Sequence, residues 1–590
     1  METAAGDAGA DAGVDQVVAD WIAAADGGAD ADAAADQLVE MDAAPPTITF
    51  VKPSAATTYV NAALAVEIAA SPTAPASVDL LVDNVVAQHL APPFQMMFAT
   101  ASLSEGMHTL ACAASIAGVA VACPPRTVVV DRTPPVAVVE TPFSNAYAAS
   151  AEPVSVTFSE PVAAASVSTA AFSVLADSVA LVTMPSLSGD GRTLSAGIAS
   201  HPAVGGGTAV VKRTVTDLAG NPLAADVIWS WRWANAVSLG PSLASIAGES
   251  GGYSPAIAIG ADGAPVVAWT AEGTGTRPTR VVVQRWNGTA WATLGSFPST
   301  STQIPQYDAN VAIDRSGRVF VAWRDQDMIV GTFATRVRVQ NGTGWDAWDD
   351  LPAGYRPHLV IDDAGNVSMS MMVLAPTQHP GVFRRVGAAW QPLGDLMIAA
   401  GAQLSQTGNM VGDASGTLEM QWSDQVGSTQ FVPRVRVWPS GAAGWQNQSP
   451  LPSVPGLGPL ATLVGMNRAG SVAFTWTEQT IPDPSTVAVF VPGWTDRRTV
   501  PGFTAVFAVD IDIDPSGRPT VTFVRNTPRT LQVERWSGTA WEAVFDGVQM
   551  SPVPDSAPTG TLAYDDVGKP FLALEEHAAG HSQVYVISQP

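Results

Sequence analysis

One unit recurs seven times between residues 253 and 574 of this 590-residue chain. Each copy holds a short apolar strand, a tight turn usually of the form D-x-x-G, and a second strand ending in a bulky side chain. The turn glycines are Gly263, Gly317, Gly365, Gly416, Gly470, Gly517 and Gly568, spaced 47–54 residues apart. Six residues after each come Trp269, Trp323, Met371, Trp422, Trp476, Phe523 and Leu574. An Asp three residues before the glycine accepts backbone N–H groups in the turn, and glycine takes the positive φ. Asp314, Asp362, Asp413, Asp514 and Asp565 fill that role, with Asn467 substituting once. Hairpins bearing Trp follow in several copies, as in RWNGTAW (285–291), RWSGTAW (535–541) and the looser VQNGTGW (339–345). A period near 50 with four short strands is the blade of a β-propeller. The bulky residue then fills the space between blades, where both sheet faces are buried.

The seventh copy stops after QVYVIS, without an outer strand. Ahead of the first copy, WANAVSLGPS (233–242) matches the second half of WNGTAWATLGS (286–296). Residues 235–241 are therefore expected to complete the last blade beside Val584–Ile587 and remove an open edge. This predicts a seven-bladed β-propeller over 235–590 with N-/C-terminal strand closure. The blades resemble a loose class of bacterial propellers with a D-x-x-G-x-P-x-V-A-W signature, common in large envelope proteins. They depart from the sialidase Asp-box, where Trp follows Gly by three residues, and lack the D-x-D-x-D-G calcium loop of integrin-type propellers.

Between Pro45 and the propeller, alternating strands are punctuated by Pro and Gly at sandwich spacing. Over 45–132, EGMHTLACAAS…VVVDRTPP resembles the end of bacterial Ig-like domains, in which His108 would be structural. Over 133–234, VSVTFSEPV, STAAFSV, SGDGRTL and TDLAGNPLA resemble the Ig-like domain first described in the S-layer protein SbsA. VIWSWRW should place Trp229, Trp231 and Trp233 on one face of the last strand. Such a resemblance implies a spacer. The fold class is thus all-β: two Ig-like β-sandwich domains followed by the propeller. Cys112 and Cys123 sit in an alternating apolar stretch at hairpin spacing, which suits a disulfide; two buried free thiols are the alternative. A disulfide implies an oxidising compartment.

Residues 1–44 form an acidic Ala/Asp/Gly-rich linker with a short helical stretch around Asp15–Ala25. It resembles the tether behind the lipid-anchored Cys of bacterial surface lipoproteins, which implies a possible anchor upstream. The net charge of −25 excludes a nucleic-acid partner. No run of 18 apolar residues exists for a transmembrane helix. The expected protein is a monomer, secreted or on the surface of a bacterial envelope.

Catalytic motifs do not survive inspection. GESGG (248–252) lacks the strand and helix of a nucleophile elbow. HAAGH (577–581) lacks the Glu of a zinc helix, although Glu575, Glu576, His577 and His581 on one loop are candidate metal ligands. Glu160 and Asp217 suit turn and strand-end roles better than calcium ligation, so no cofactor is expected beyond a possible calcium. Seven residues before the turn glycines stand Asn310, His358, Asn409, Asp510 and Thr561, polar in apolar strands and expected to ring the channel mouth. Loops of the same face carry Arg324, Asp325, Asp424, Glu478 and Arg525, and Tyr253, Tyr307 and Tyr355 recur ten residues before the glycines. This convergence suits a small polar ligand. The first functional reading is a non-enzymatic extracellular binding or adhesion protein, presenting the propeller on Ig-like spacers to a glycan or protein. The alternatives are a secreted carbohydrate-active enzyme, sialidase-like hydrolase or polysaccharide lyase, and a structural envelope component.

Overall fold

The computed structural model describes residues 45–590 apart from 145, 150–151, 203–204, 235, 244–250, 273–277, 375–377, 395, 397–401, 427–429, 449–450, 452–457, 480–485, 501–505, 527–528, 546–547, 549–559, 579–580 and 590. The acidic segment 1–44, with its expected helical stretch, lies outside the described residues, as does most of GESGG. Among the described residues there is no α-helix, only a 3-10 turn at Ala164–Ser166. The chain divides into two compact units, residues 1–56, 65–98 and 108–127 forming the first and the remainder the second.

Period-two alternation builds the core of the first unit. Ile48 and Phe50 of Thr47–Lys52, Val66 and Ile68 of Ala63–Ser71, and Leu80 of Val78–Val82 point inward. The strand Gly106–Ile116 turns back into Val119–Ala122. That hairpin brings Cys112 and Cys123 together as a disulfide, with Cα atoms 5.1 Å apart. The buried ring of His108 lies 2.7 Å from a carboxylate oxygen of Asp83, the structural role expected for it.

The second unit opens with a two-sheet sandwich. One sheet runs in the order Ala137–Thr141, Ser155–Phe158, Thr193–Ser195, Ser186–Leu187; the other centres on Val227–Trp233 paired with Gly205–Val211. Trp229, Trp231 and Trp233 share one buried face, as the alternation predicts. Gly207 lies directly beneath the Trp231 indole, where a Cβ would collide with the ring.

Seven four-stranded antiparallel sheets follow. The first runs Gly252–Ile259, Pro265–Ala271, Arg280–Trp286, Trp291–Pro298. The next five begin at Gln306, Gly354, Ala402, Gly458 and Val506. The seventh contains Gly560–Tyr564, Pro570–Ala578 and His581–Ser588, and its outer strand is Val237–Ser238, paired with Ser588 and Ile587. The first strand of each sheet packs on the first strand of the next, and that of the seventh packs on the first. The D-x-x-G turns join first and second strands. In the second sheet Asp314 Oδ1 accepts N–H bonds from Ser316 at 2.9 Å and Arg318 at 3.0 Å, and Gly317 takes φ 84°.

The bulky residue six positions on packs against the preceding sheet. Trp422 shares a buried cluster with Val382 of the third, Phe523 with Val487 of the fifth, and Trp269 of the first with Phe571 and Val584 of the seventh. A second contact repeats at the rim. The indole N–H of Trp345 donates to Leu294 O at 3.0 Å, that of Trp445 to Leu393 O at 2.6 Å, and that of Trp291 to Leu239 O. Each acceptor precedes a glycine (Gly295, Gly394, Gly240), against which the indole lies closely enough to crowd any added Cβ.

One buried carboxyl makes this fold pH-sensitive. Glu419, on the second strand of the fourth sheet, is 2% exposed, and its Oε1 has no hydrogen-bond partner. Burial without a counter-charge pushes its pKa up from 4.5 to about 8. The folded state thus holds a proton that the unfolded chain releases near pH 4.5. Stability from this group is complete below that pH and is lost as pH rises through about 8. Glu419→Gln should match the parent at pH 4 and exceed it at pH 9 by on the order of 3 kcal/mol. Urea melts at the two pH values check this; an equal offset at both contradicts it.

Candidate functional site

Strand register places the Tyr positions and the D-x-x-G turns at opposite ends of the first strands. At the turn end, Arg315 of the second sheet pairs with Asp363 of the third at 3.2 Å and with Asp566 of the seventh at 3.4 Å; Arg468 of the fifth also pairs with Asp363. Backbone bonds add to this, Asp363 N–H to Ala414 O at 3.1 Å and Ala414 N–H to Arg468 O at 3.0 Å. Turns from five sheets are thereby tied together. A cavity of about 240 Å³ beside them is lined by Asn467, Asp512, Tyr564 and Asp565.

At the other end each of the first six inner strands carries a bulge, as between Tyr253 and Ala256, Tyr307 and Asn310, and Tyr355 and His358. In the first three sheets the residue after the tyrosine has positive φ: Ser254 53°, Asp308 57°, Arg356 54°. These are non-glycine residues in a sparsely populated region, the kind of backbone that gathers at binding sites. Neighbouring carboxylates hold two of them. Glu575 accepts the Ser254 N–H at 3.1 Å, and Asp308 accepts the Arg356 N–H at 3.2 Å. Arg324 rises between the sheets, pairs with Asp308 at 3.1 Å, and lies 4.8 Å from the Tyr307 ring centre, 5.3 Å from Phe333 and 5.7 Å from Tyr355. Tyr253 and Tyr307 stand 6.0 Å apart. Burial raises the hydroxyl pKa of both Tyr253 and Tyr355; Tyr253 donates to Gln306 O at 3.2 Å, and Tyr355 accepts from the Gln378 amide at 2.5 Å.

The polar ring of the inner strands is engaged between sheets. Asn310 Oδ1 accepts Leu359 N–H at 2.9 Å, and Asn409 exchanges two bonds with the Val464 backbone at 2.8 and 2.7 Å. Asp510 accepts Leu562 N–H at 2.7 Å, and Thr561 donates to Pro255 O at 3.2 Å. Each inner strand is the edge of its own sheet, and these side chains satisfy backbone groups that no strand pairs. Burial drives the His358 pKa down to about 4, with Arg356 adding to it, and burial lifts Asp510 to about 7.

A separate role emerges for the acids two residues beyond the bulky position. Asp325 accepts the Trp323 indole N–H at 2.9 Å and Arg336 Nε at 2.8 Å; Asp424 accepts Trp422 at 2.8 Å and Arg434 at 3.1 Å; Glu478 accepts Trp476 at 3.0 Å and Arg497 at 3.2 Å. The signal W-x-[D/E] was present in the sequence, and the structure gives it an anchoring function. The side chains of Arg525, Glu576, His577 and His581 lie outside the described residues. Glu575, the remaining member of the expected metal set, is buried and bonded to Ser254 and Ser582.

In the sandwich, carboxylate oxygens of Asp131, Glu160 and Asp217 lie within 4.8 Å of one another. Asp217 accepts the Asn221 backbone N–H at 2.8 Å and its amide at 2.7 Å, the turn role expected. Burial, with Asp131 and Asp217 adding repulsion, raises Glu160 to about 7.

With this geometry in hand, the class is a nearly all-β protein with an Ig-like domain and a propeller-like body. Residues 131–232 match the family described as Bacterial Ig-like domain. No curated protein matches the chain. Similar solved structures include an unknown-function protein of Dyadobacter fermentans DSM 18053, at 12% identity over 58% of this chain and 96% of that one, TM-score 0.35. They also include polysaccharide lyase Uly1, at 12% over 57% and 89%, TM-score 0.40. The alpha-L-arabinanase of Penicillium chrysogenum aligns at 12% over 60% and 98%, TM-score 0.35.

Proposed function

We propose that this chain is a non-enzymatic extracellular binding protein, in which a closed seven-bladed propeller serves as the recognition head on Ig-like spacers. Its ligand is a glycan or a protein. The observation that carries this reading is the Arg324 cluster. Tyr307 and Tyr355 of adjacent sheets flank one guanidinium, and Tyr253 of the first sheet lies against Tyr307, at the end away from the cross-linked turns. Aromatic surface, tyrosine hydroxyls and a cation gathered on a strained rim suit recognition of polar ligands. The disulfide, the Ig-like domain, and the absence of a helix long and apolar enough to cross a membrane among the described residues are consistent with an extracellular or surface setting. The full chain should bind members of a glycan or extracellular-protein array, and Arg324→Gln should weaken binding about tenfold or more, about 1.4 kcal/mol. A panel of polysaccharide substrates should remain uncut. Turnover of any of them, or binding indifferent to Arg324→Gln, contradicts the proposal.

A further inference from the structure

Between the first and second sheets lies a cavity of about 560 Å³, within the usual range for small-ligand sites. One wall is a row of alternating charge. Asp325 pairs with Arg336 at 2.8 Å, Arg336 with Asp349 at 3.6 Å, and Asp349 with Arg338 at 2.6 Å. All four side chains are only partly buried, at 16–37% exposure, and all four line the cavity. Phe297 and Phe333 add apolar surface to the lining, and Asp327 adds a further carboxylate. Phe333 also lies 5.3 Å from the Arg324 guanidinium, so this ring borders both the cavity and the rim cluster.

We propose that this cleft binds a neutral pyranose unit of a glycan, an inference that rests on reading the seven sheets as a recognition head. Charge selects the class. Both guanidiniums already have carboxylate partners, and three carboxylates face two guanidiniums, so a uronate or other anion meets net repulsion. The excess carboxylate would draw a cation, but Asp325 and Asp349 already hold arginine partners that a cation would have to displace. A neutral sugar ring meets neither penalty. Its hydroxyls can donate to Asp325, Asp327 and Asp349 and accept from the arginines, as charge-assisted bonds, while its C–H face lies on phenylalanine.

The test uses the full chain against immobilised neutral glucan, mannan and galactan oligosaccharides, with uronate-terminated oligosaccharides as comparators. At least one neutral probe should bind. Ser296→Trp, which fills the cleft from an exposed lining position and leaves every ion pair in place, should weaken it at least tenfold. Arg338→Lys should weaken it as well while the melting temperature holds. Neutral-sugar binding that survives Ser296→Trp overturns the cleft assignment; if Arg324→Gln still abolishes that binding, the recognition reading stands without it. Binding of uronate-terminated probes alone overturns the ligand class. Binding of no glycan at all overturns this inference, and the recognition reading falls with it only if no protein ligand sensitive to Arg324→Gln is found.

Discussion

A chain of residues 250–590 should aggregate, or melt on the order of 10 °C below a chain of residues 234–590. The longer chain keeps Val237 and Ser238 paired with Ser588 and Ile587, and keeps the Leu239 and Leu243 N–H groups bonded to Val586 O and Val584 O, each at 2.8 Å. It also keeps Ala236 and Leu243 buried. Losing these contacts removes roughly 5–8 kcal/mol, from about 1 kcal/mol per hydrogen bond and about 2 kcal/mol per fully buried Leu. It also exposes the strand His581–Ser588 as an apolar sheet edge, a template for aggregation. Thermal melts and light scattering of the two chains decide it; coincident melts contradict the role given to residues 237–243.

Asp424→Ala should destabilise the protein by about 3 kcal/mol, among the largest single-site effects in the ring. Asp424 is fully buried and holds both the Trp422 indole N–H and Arg434. Truncation leaves a buried donor unpaired and a guanidinium without its counter-charge. The Arg434 side chain is 39% exposed and can rehydrate, which keeps the cost at the lower end for a broken ion pair. The first sheet supplies the control. Ala271 occupies the corresponding position there, and the Trp269 indole N–H is buried without a partner. Trp269→Phe should therefore cost clearly less than Trp422→Phe, which strips Asp424 of a donor. Equal losses in urea titrations of the two variants would show that the tryptophans act through volume alone.

The repeat was legible because its chemistry is local. A turn needs Asp and Gly at fixed offsets, and a blade needs a bulky residue at a fixed distance from them, so register survives in one dimension. The match of WANAVSLGPS to WNGTAWATLGS had the same origin: Leu239-Gly240 and Leu294-Gly295 each receive the next hairpin's indole. The site was harder to read. A polar residue on an inner strand looks the same in sequence whether it faces a ligand or clamps the next sheet, and Asn310, Asn409, Asp510 and Thr561 all bond backbone of a neighbouring sheet. Asp325, Asp424 and Glu478 similarly serve buried indoles. Arg336, Arg338 and Asp349 gave no signal, because third strands and outer loops vary in length and hold no constant offset from the turn glycine. The positive-φ residues Ser254, Asp308 and Arg356 differ in type, so nothing in composition marked their shared bulge.

Ring closure, on which the proposed recognition head depends, is most directly tested by a cross-link between its ends. Val237 and Ser588 are direct partners across the closing pair of strands. The full chain carrying Val237→Cys and Ser588→Cys should form the new disulfide in oxidising buffer, seen as a mobility shift and by mass spectrometry, and should melt higher when oxidised than when reduced, since closing so long a loop restricts the unfolded chain strongly. Both introduced thiols remaining open to alkylation in the folded protein would contradict closure.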